Sequence, residues 1–287
     1  MQAQKAILPH GFAEENHVIY GMDENFLFHI KFNRADKMNA LYLEMYQTIA
    51  KAIDIAHNST EARAVIVYGS NGIFCAGNDL GDFLHKEASN PEYTHQFMTK
   101  FLLLNKPLFF FVQSCCVGVI ATLTCHADFL YCTDDAFFLT PFQEIGLCPE
   151  GLSSIKFPEL LGRRKANEML LTDHKLKAQE ALQYGFVNGI IPNDQVPKTE
   201  PILTDLNKIP NLVKILQTDP KTIQNAKMIM TQGQDLQFLI EHNKKEQQCF
   251  YECQTSKEFN DKMKKYANAA IKSSKKKSKK NDGQPKL

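Results

Sequence analysis

Residues 64–80, AVIVYGSNGIFCAGNDL, decide how this chain folds. Ala64 to Tyr68 is an unbroken, largely β-branched apolar run, and the turn Phe74-Cys75-Ala76-Gly77-Asn78-Asp79-Leu80 leads from it into a helical stretch. Such a run, bounded by turn residues, reads as a strand buried on both faces, the kind from which parallel sheets are built. Small residues in the turn let the backbone come close to a ligand, and amides at a helix start point outward as donors. The pattern recurs at Leu108 to Val112, with three consecutive phenylalanines, followed by the turn Val117-Gly118-Val119. Two strand-to-helix turns of this kind are able to converge their N–H groups on one oxygen, as in an oxyanion hole.

The segment Pro107 to Cys125 is almost free of charge for about the length of a bilayer helix. Gln113, Ser114 and Gly118 interrupt it, and His126 and Asp128 close it, so it reads as strand, turn and buried helix rather than a membrane span. Further strand-like runs lie at Phe26 to Phe32, Phe129 to Cys132 and Phe186 to Ile191. A helix is expected after Asn39 as N-cap, with Leu41, Met45, Ile49, Ile53 and Ala56 on one face. Alternation of strand and helix predicts an α/β core over residues 1–196. From 197 to 270 the pattern is helical, with Asp219-Pro220 as a cap followed by Pro at the first helical position. Leu236, Phe238, Leu239, Phe250 and Tyr251 in this C-terminal subdomain either pack on the body or face a neighbouring subunit. Residues 271–287 are lysine-rich and are expected to be a disordered tail.

Lys plus Arg number 33 against 32 Asp plus Glu, a net charge of +1, but the stretch from Lys272 onward carries +6 and leaves the body at −5. Nothing in the overall charge therefore advertises a polyanionic partner, and no aromatic residues interleave with the tail lysines to stack on bases, so a nucleic-acid partner is not expected. With 44% apolar residues the chain is able to bury a large core. Its eight cysteines suit free thiols in a reducing compartment. Cys249 and Cys253 share a helical face and Cys115 and Cys116 are adjacent, but neither group has the paired spacing of a closed zinc site, and no metal is expected.

A third element is Gly146-Leu147-Cys148-Pro149-Glu150-Gly151. A carboxylate here, with Phe142, Ile145, Leu147 and Leu152 nearby in sequence, is either set in an apolar pocket that raises its pKa toward neutrality and suits it to proton transfer, or a solvated acid at a helix start.

Asn33-Arg34 through Lys37, Asn39 to Leu41, the Ala-Gly-Asn-Asp-Leu turn, Val117-Gly118 and Thr140-Pro141-Phe142 leading to Pro149-Glu150-Gly151 together resemble the crotonase, or enoyl-CoA hydratase/isomerase, superfamily. The likeness runs in order from about Phe26 to Pro192, and Thr140 to Gly162 looks most like its 3,2-trans-enoyl-CoA isomerase branch. The resemblance implies a spiral of ββα units and assembly as trimers or hexamers through the C-terminal helices. It also implies an acyl-CoA substrate, with coenzyme A belonging to that substrate and no separate cofactor. On matching positions the thioester carbonyl would lie between the amides of Ala76 and Val119, with Lys37 and the loop Ala76, Gly77, Asn78, Asp79 and Leu80 holding CoA. Hydratases of the family carry two glutamates where this chain has Thr122 and Phe142, whereas the isomerases use one, here Glu150. That implies a single-base shuttle from C2 of a 3-enoyl-CoA to C4 of its trans-2 isomer, in β-oxidation of unsaturated fatty acids. A hydratase, a dienoyl-CoA isomerase, and a catalytically silent crotonase-fold subunit or a binder whose lysine tail engages RNA or anionic lipid are the competing readings. Phe83, Phe97 and Phe101 either line an acyl tunnel or belong to the core. Pro285-Lys286-Leu287 resembles the Ser-Lys-Leu address, which implies a peroxisomal import receptor as partner and a peroxisomal location, the mitochondrial matrix being the alternative.

Overall fold

The computed structural model describes residues 8–79, 81, 90–196 and 202–265. Leu80, Phe83 and the tail from 271, with its closing tripeptide, lie outside the described residues. Strands β1 (Phe12–Glu15), β2 (Val18–Met22) and β3 (Leu27–Phe32) form an antiparallel meander. Helix α1 (Leu43–Asn58) carries the chain back to β4 (Ala64–Gly69), parallel to β3, and α2 (Pro91–Leu102) precedes β5 (Leu108–Val112), parallel to β4.

From there the chain repeats a unit. β5 is followed by the short β6 (Cys115–Val117) and α3 (Val119–Leu123); β7 (Phe129–Thr133) is followed by β8 (Phe137–Leu139) and α4 (Phe142–Ile145). In each unit the first strand joins the large sheet and the second joins a small one. Helices α5 (Ser153–Leu161) and α6 (Arg163–Thr172), strand β9 (Leu176–Lys177), helix α7 (Ala178–Gln183) and strand β10 (Gly189–Ile191) complete the body. The large sheet runs β1-β2-β3-β4-β5-β7-β10 and the small one β6-β8-β9. This is the crotonase-type spiral that the resemblance implied.

The apolar strands explain the layering. Side chains alternate across a strand, so β4 and β5 supply two cores at once. Val65, Val67 and Phe110 face α1 and α2, while Ala64, Ile66, Tyr68, Phe109 and Phe111 face the other way. That second face is covered by Leu203, Leu206, Leu212 and Leu216, from residues that include α8 (Leu212–Gln217). The chain after residue 196 thus divides: 202–217 closes the sheet's outer core, and α9 (Pro220–Gln232), α10 (Leu236–Gln254) and helical residues 257–265 follow. Asp219 caps α9, accepting from the Thr222 amide at 2.8 Å. No helix among the described residues is long and apolar enough to cross a membrane, and Pro107 to Cys125 is split between β5, β6 and α3.

Two expectations are corrected, and two alternatives are resolved. Asn39 does not cap α1, which starts at Leu43 after Tyr42 with no side-chain cap. Asn39 is fully buried in a left-handed conformation (φ 56°), where its amide ties two loops. It accepts from the Arg34 amide (2.8 Å) and Ser70 Oγ (3.1 Å) and donates to the Ile73 carbonyl (2.7 Å). The run from Phe186 is a strand only over Gly189–Ile191; the Phe186 amide closes α7 on the Ala181 carbonyl and its ring packs between Phe138 and Phe157. Phe97 and Phe101 are core residues, edge-on to each other beside Tyr46 and Phe110. Of the five apolar C-terminal residues, Leu239 and Phe250 are buried, whereas Phe238 is 52% exposed.

A buried polar group stripped of its partner leaves the others unsatisfied. Asn39→Ala is therefore expected to lower unfolding stability by about 2–4 kcal/mol, read from the urea midpoint at unchanged m-value. A loss under about 0.5 kcal/mol would mean that water replaces the side chain.

Candidate active site

The two strand-to-helix turns are locked together by backbone bonds. The Cys75 amide donates to the Cys115 carbonyl at 3.0 Å, and the Val117 amide donates to the Cys75 carbonyl at 3.2 Å. Cys75 is thereby a one-residue rung beside β6. The approach continues through Gly77, whose φ is +91° and where an added Cβ would stand 2.7 Å from the Val117 carbonyl oxygen. Only glycine meets both the conformation and the space.

This pairing decides which amides remain free. The Ala76 amide, expected as an oxyanion donor, instead donates to the Met38 carbonyl at 3.0 Å, and the Asp79 amide donates to the Leu41 carbonyl at 2.7 Å. The Asn78 amide between them has no acceptor among the described residues. On the second turn the Gly118 amide donates to the Leu139 carbonyl (2.8 Å), while the Val119 amide, first in α3, likewise has none. The pair of free donors is thus Asn78 and Val119. The first lies two residues beyond the expected position, because residues 76 to 79 pair edge-to-edge with residues 38 to 41, a registry that sequence does not display.

Both residues line a cavity of about 530 Å³, open mouth included, together with Glu150. Its apolar wall includes Pro141, Phe142, Ile145 and Leu147, and Phe250 and Met263 reach it from the C-terminal helices of the same chain. Glu150 is only 3% exposed. Burial pushes its carboxyl up to about 8, the Gln247 side chain beside it pulls the other way, and Glu246 adds a smaller upward push. The helix-start alternative is not what forms: the Glu150 carboxyl is buried at the cavity.

The Glu150 backbone is clamped. Its carbonyl accepts from Ser153 Oγ (2.7 Å) and the Ser153 amide (3.2 Å). The next carbonyl, Gly151, accepts from His126 Nε2 at 3.0 Å. Burial drives the His126 pKa down to about 4, so the ring is neutral with its proton assigned to that nitrogen. Gly151 and Leu152 both adopt positive φ, and the turn they form aims the Leu152 and Ser154 amides at the Glu246 carboxylate, at 2.6 and 3.2 Å. Glu246 belongs to α10 and caps the start of α5 from outside.

Other expected site residues have different settings. Lys37 is exposed on the loop that receives the Ala76 amide. Asp79 pairs with Arg34 at 2.8 Å, and Arg34 also donates to the Ala40 carbonyl (2.9 Å) and lies over the Tyr42 ring, so this carboxylate braces the first turn. Thr122 turns its hydroxyl onto the Val119 carbonyl at 2.8 Å, and Phe142 is a buried wall residue; neither offers a carboxylate. Tyr46, Glu246, Gln247 and Met263 escape sequence reasoning, and Phe250 reads there only as apolar packing surface. Tyr46 donates to Asn78 Oδ1. On α10, Asn243, Glu246, Gln247, Phe250 and Gln254 form a buried stripe whose polar residues read as a solvated face until α2 and α5 are packed against it. Among groups with the composition of a metal site, Glu168 and Glu180 hold the Lys165 ammonium and His174 pairs with Glu180, forming an ion-pair network.

Comparison with known proteins identifies the family. The family model for enoyl-CoA hydratase/isomerase matches residues 23–273. The chain is 37% identical over 190 residues to enoyl-CoA delta isomerase 2 of Rattus norvegicus, covering 63% of this chain and 48% of that protein. It is 33% identical over 188 residues to the peroxisomal enoyl-CoA delta isomerase 3 of Mus musculus, 63% of this chain and 59% of that one. The chain thus spans about half the length of the curated relatives it matches. The crystal structure of an enoyl-CoA hydratase/isomerase from Pseudoalteromonas atlantica T6c superposes with a TM-score of 0.79 at 25% identity, over 88% of this chain and 98% of that one. OdaA of Pseudomonas aeruginosa does so with a TM-score of 0.79 at 26% identity, over 88% and 99%. With the ββα spiral, the paired turns and the matched length in agreement, the chain belongs to the enoyl-CoA hydratase/isomerase family.

Proposed function

We propose that the protein is a 3,2-enoyl-CoA isomerase in which Glu150 alone moves the proton. The observation that carries this reading is the content of one cavity: a single buried carboxyl, two free backbone amides from Asn78 and Val119, and the uncharged wall residue Phe142, with buried Thr122 at the other position where an acid would be needed for hydration. The thioester carbonyl of a 3-enoyl-CoA accepts from the Asn78 and Val119 amides. Glu150 takes a C2 proton, charge moves onto the carbonyl oxygen as the enolate forms, and the same carboxyl returns the proton at C4. Donors already aimed at that oxygen need no reorganisation, and one such donor is typically worth about 3–4 kcal/mol. The apolar wall excludes water that would otherwise protonate the dienolate. Names of similar proteins support the isomerase class, and one of them supports a peroxisomal location. Coenzyme A enters as part of the substrate, near Lys37 and the loop that begins at Ala76. Assembly as a trimer or hexamer through the C-terminal helices is part of the same reading, and Phe238 and Ile229, exposed by 52% and 65%, supply apolar surface for it.

Conversion of a 3-enoyl-CoA to its 2-enoyl isomer, with hydrated product followed in the same sample, tests the proposal. Glu150→Gln is expected to lower kcat by about 10²–10⁴-fold, with little change in KM. Turnover that survives the substitution, or hydrated product as the main outcome, would overturn the single-base mechanism.

The pH profile follows from the same carboxyl. A base must be ionised in the free enzyme, and burial raises the Glu150 pKa, so activity is lost as pH falls and not as it rises. The limb of kcat/KM is expected near pH 8, with a plateau above it and no such limb in the residual rate of Glu150→Gln. A limb near pH 4.5 would show that the carboxyl is hydrated in the working enzyme.

A further inference from the structure

We propose that Cys148, Cys249 and Cys253 form a binding site for Zn²⁺, held by three thiolates with the fourth position open to solvent beside Cys249. In sequence only Cys249 and Cys253 stood out, one helical turn apart. The fold adds Cys148 from the loop between α4 and α5, and the three sulfur atoms lie within 4.8 Å of one another. Tetrahedral zinc with Zn–S distances of ~2.3 Å requires sulfurs roughly 3.8 Å apart, a contraction that side-chain torsions supply. Cys148 and Cys253 are half-buried and Cys249 is exposed, so the cluster has an entry path.

Donor chemistry selects the ion. Three sulfurs without a completed carboxylate or imidazole set suit a borderline-soft cation and exclude Ca²⁺ or Mg²⁺. The ligands bind as thiolates, and ionising one thiol beside two others is costly without a cation. A dication removes that cost and releases protons as it binds. The cation would act as a clasp: it fastens α10, which carries Glu246, Gln247 and Phe250, to the loop two residues before Glu150. The site stands on the cysteine geometry alone and is independent of the isomerase reading.

The test uses the full-length chain, reduced with a phosphine, stripped of metal by a chelator and titrated with Co²⁺ and then Zn²⁺. The expected result is a near-ultraviolet thiolate-to-cobalt absorption that saturates at about one equivalent per chain and is abolished by Zn²⁺. Zn²⁺ is also expected to raise the thermal midpoint. Cys148→Ser and Cys249→Ser should each weaken Co²⁺ binding at least ~10-fold, and Cys249 is exposed, so its replacement leaves the fold in place. Absence of the absorption, or an absorption unchanged in both variants, would overturn the proposal. Because the readout is spectroscopic, either result leaves the assignment of Glu150 untouched.

Discussion

The constraint on which the site depends is the approach of two backbones at Gly77. A methyl group there would collide with the Val117 carbonyl, and the Cys75 and Val117 bonds across the same seam hold the two turns in register. The cavity's free amide donors depend on that seam. It places the Asn78 and Val119 amides on one cavity, and it spends the neighbouring amides on Met38, Leu41 and Leu139, leaving two donors free rather than a scatter of them. The ββα spiral is the means to this end: successive strands of the large sheet and short strands of the small one bring turns from distant parts of the chain side by side.

Glu150 is held from the opposite side by a different kind of contact. Its backbone is pinned by Ser153, and the turn after it by His126 and Glu246, so the carboxyl is held at an apolar wall where burial outweighs the pull of Gln247. The C-terminal helices are therefore part of the site in their own chain. α10 caps the helix that follows Glu150, places Gln247 beside the carboxyl and lends Phe250 to the wall. Burial there raises the pKa, and the neutral form it favours suits a group that accepts and returns one proton.

Much of the scaffold was legible because buried parallel strands write themselves as unbroken apolar runs. The strands at Leu27–Phe32, Ala64–Gly69, Leu108–Val112 and Phe129–Thr133 lie within a residue or so of those runs, and the Asp219 cap bonds as its Asp-Pro signature implied. Short strands were not legible. β6, β8 and β9 span only two or three residues, too few for a period to show, and they exist because a neighbouring strand supplies their hydrogen bonds. Asn39 has the composition of a cap, yet its burial between two loops gives it four partners and another task.

Sequence by itself determined the α/β class, the two small-residue turns and the presence of a lone carboxylate in an apolar stretch, since each is a property of neighbouring residues. It also carried the likeness to the family that the comparisons support. Tertiary structure alone decided which amides are free, because a backbone donor is occupied or vacant only by virtue of what lies across from it. It decided that Asp79 braces Arg34, that α10 covers the cavity of its own chain and that Cys148 meets Cys249 and Cys253. Those are contacts between residues far apart along the chain, and no local periodicity encodes a distance.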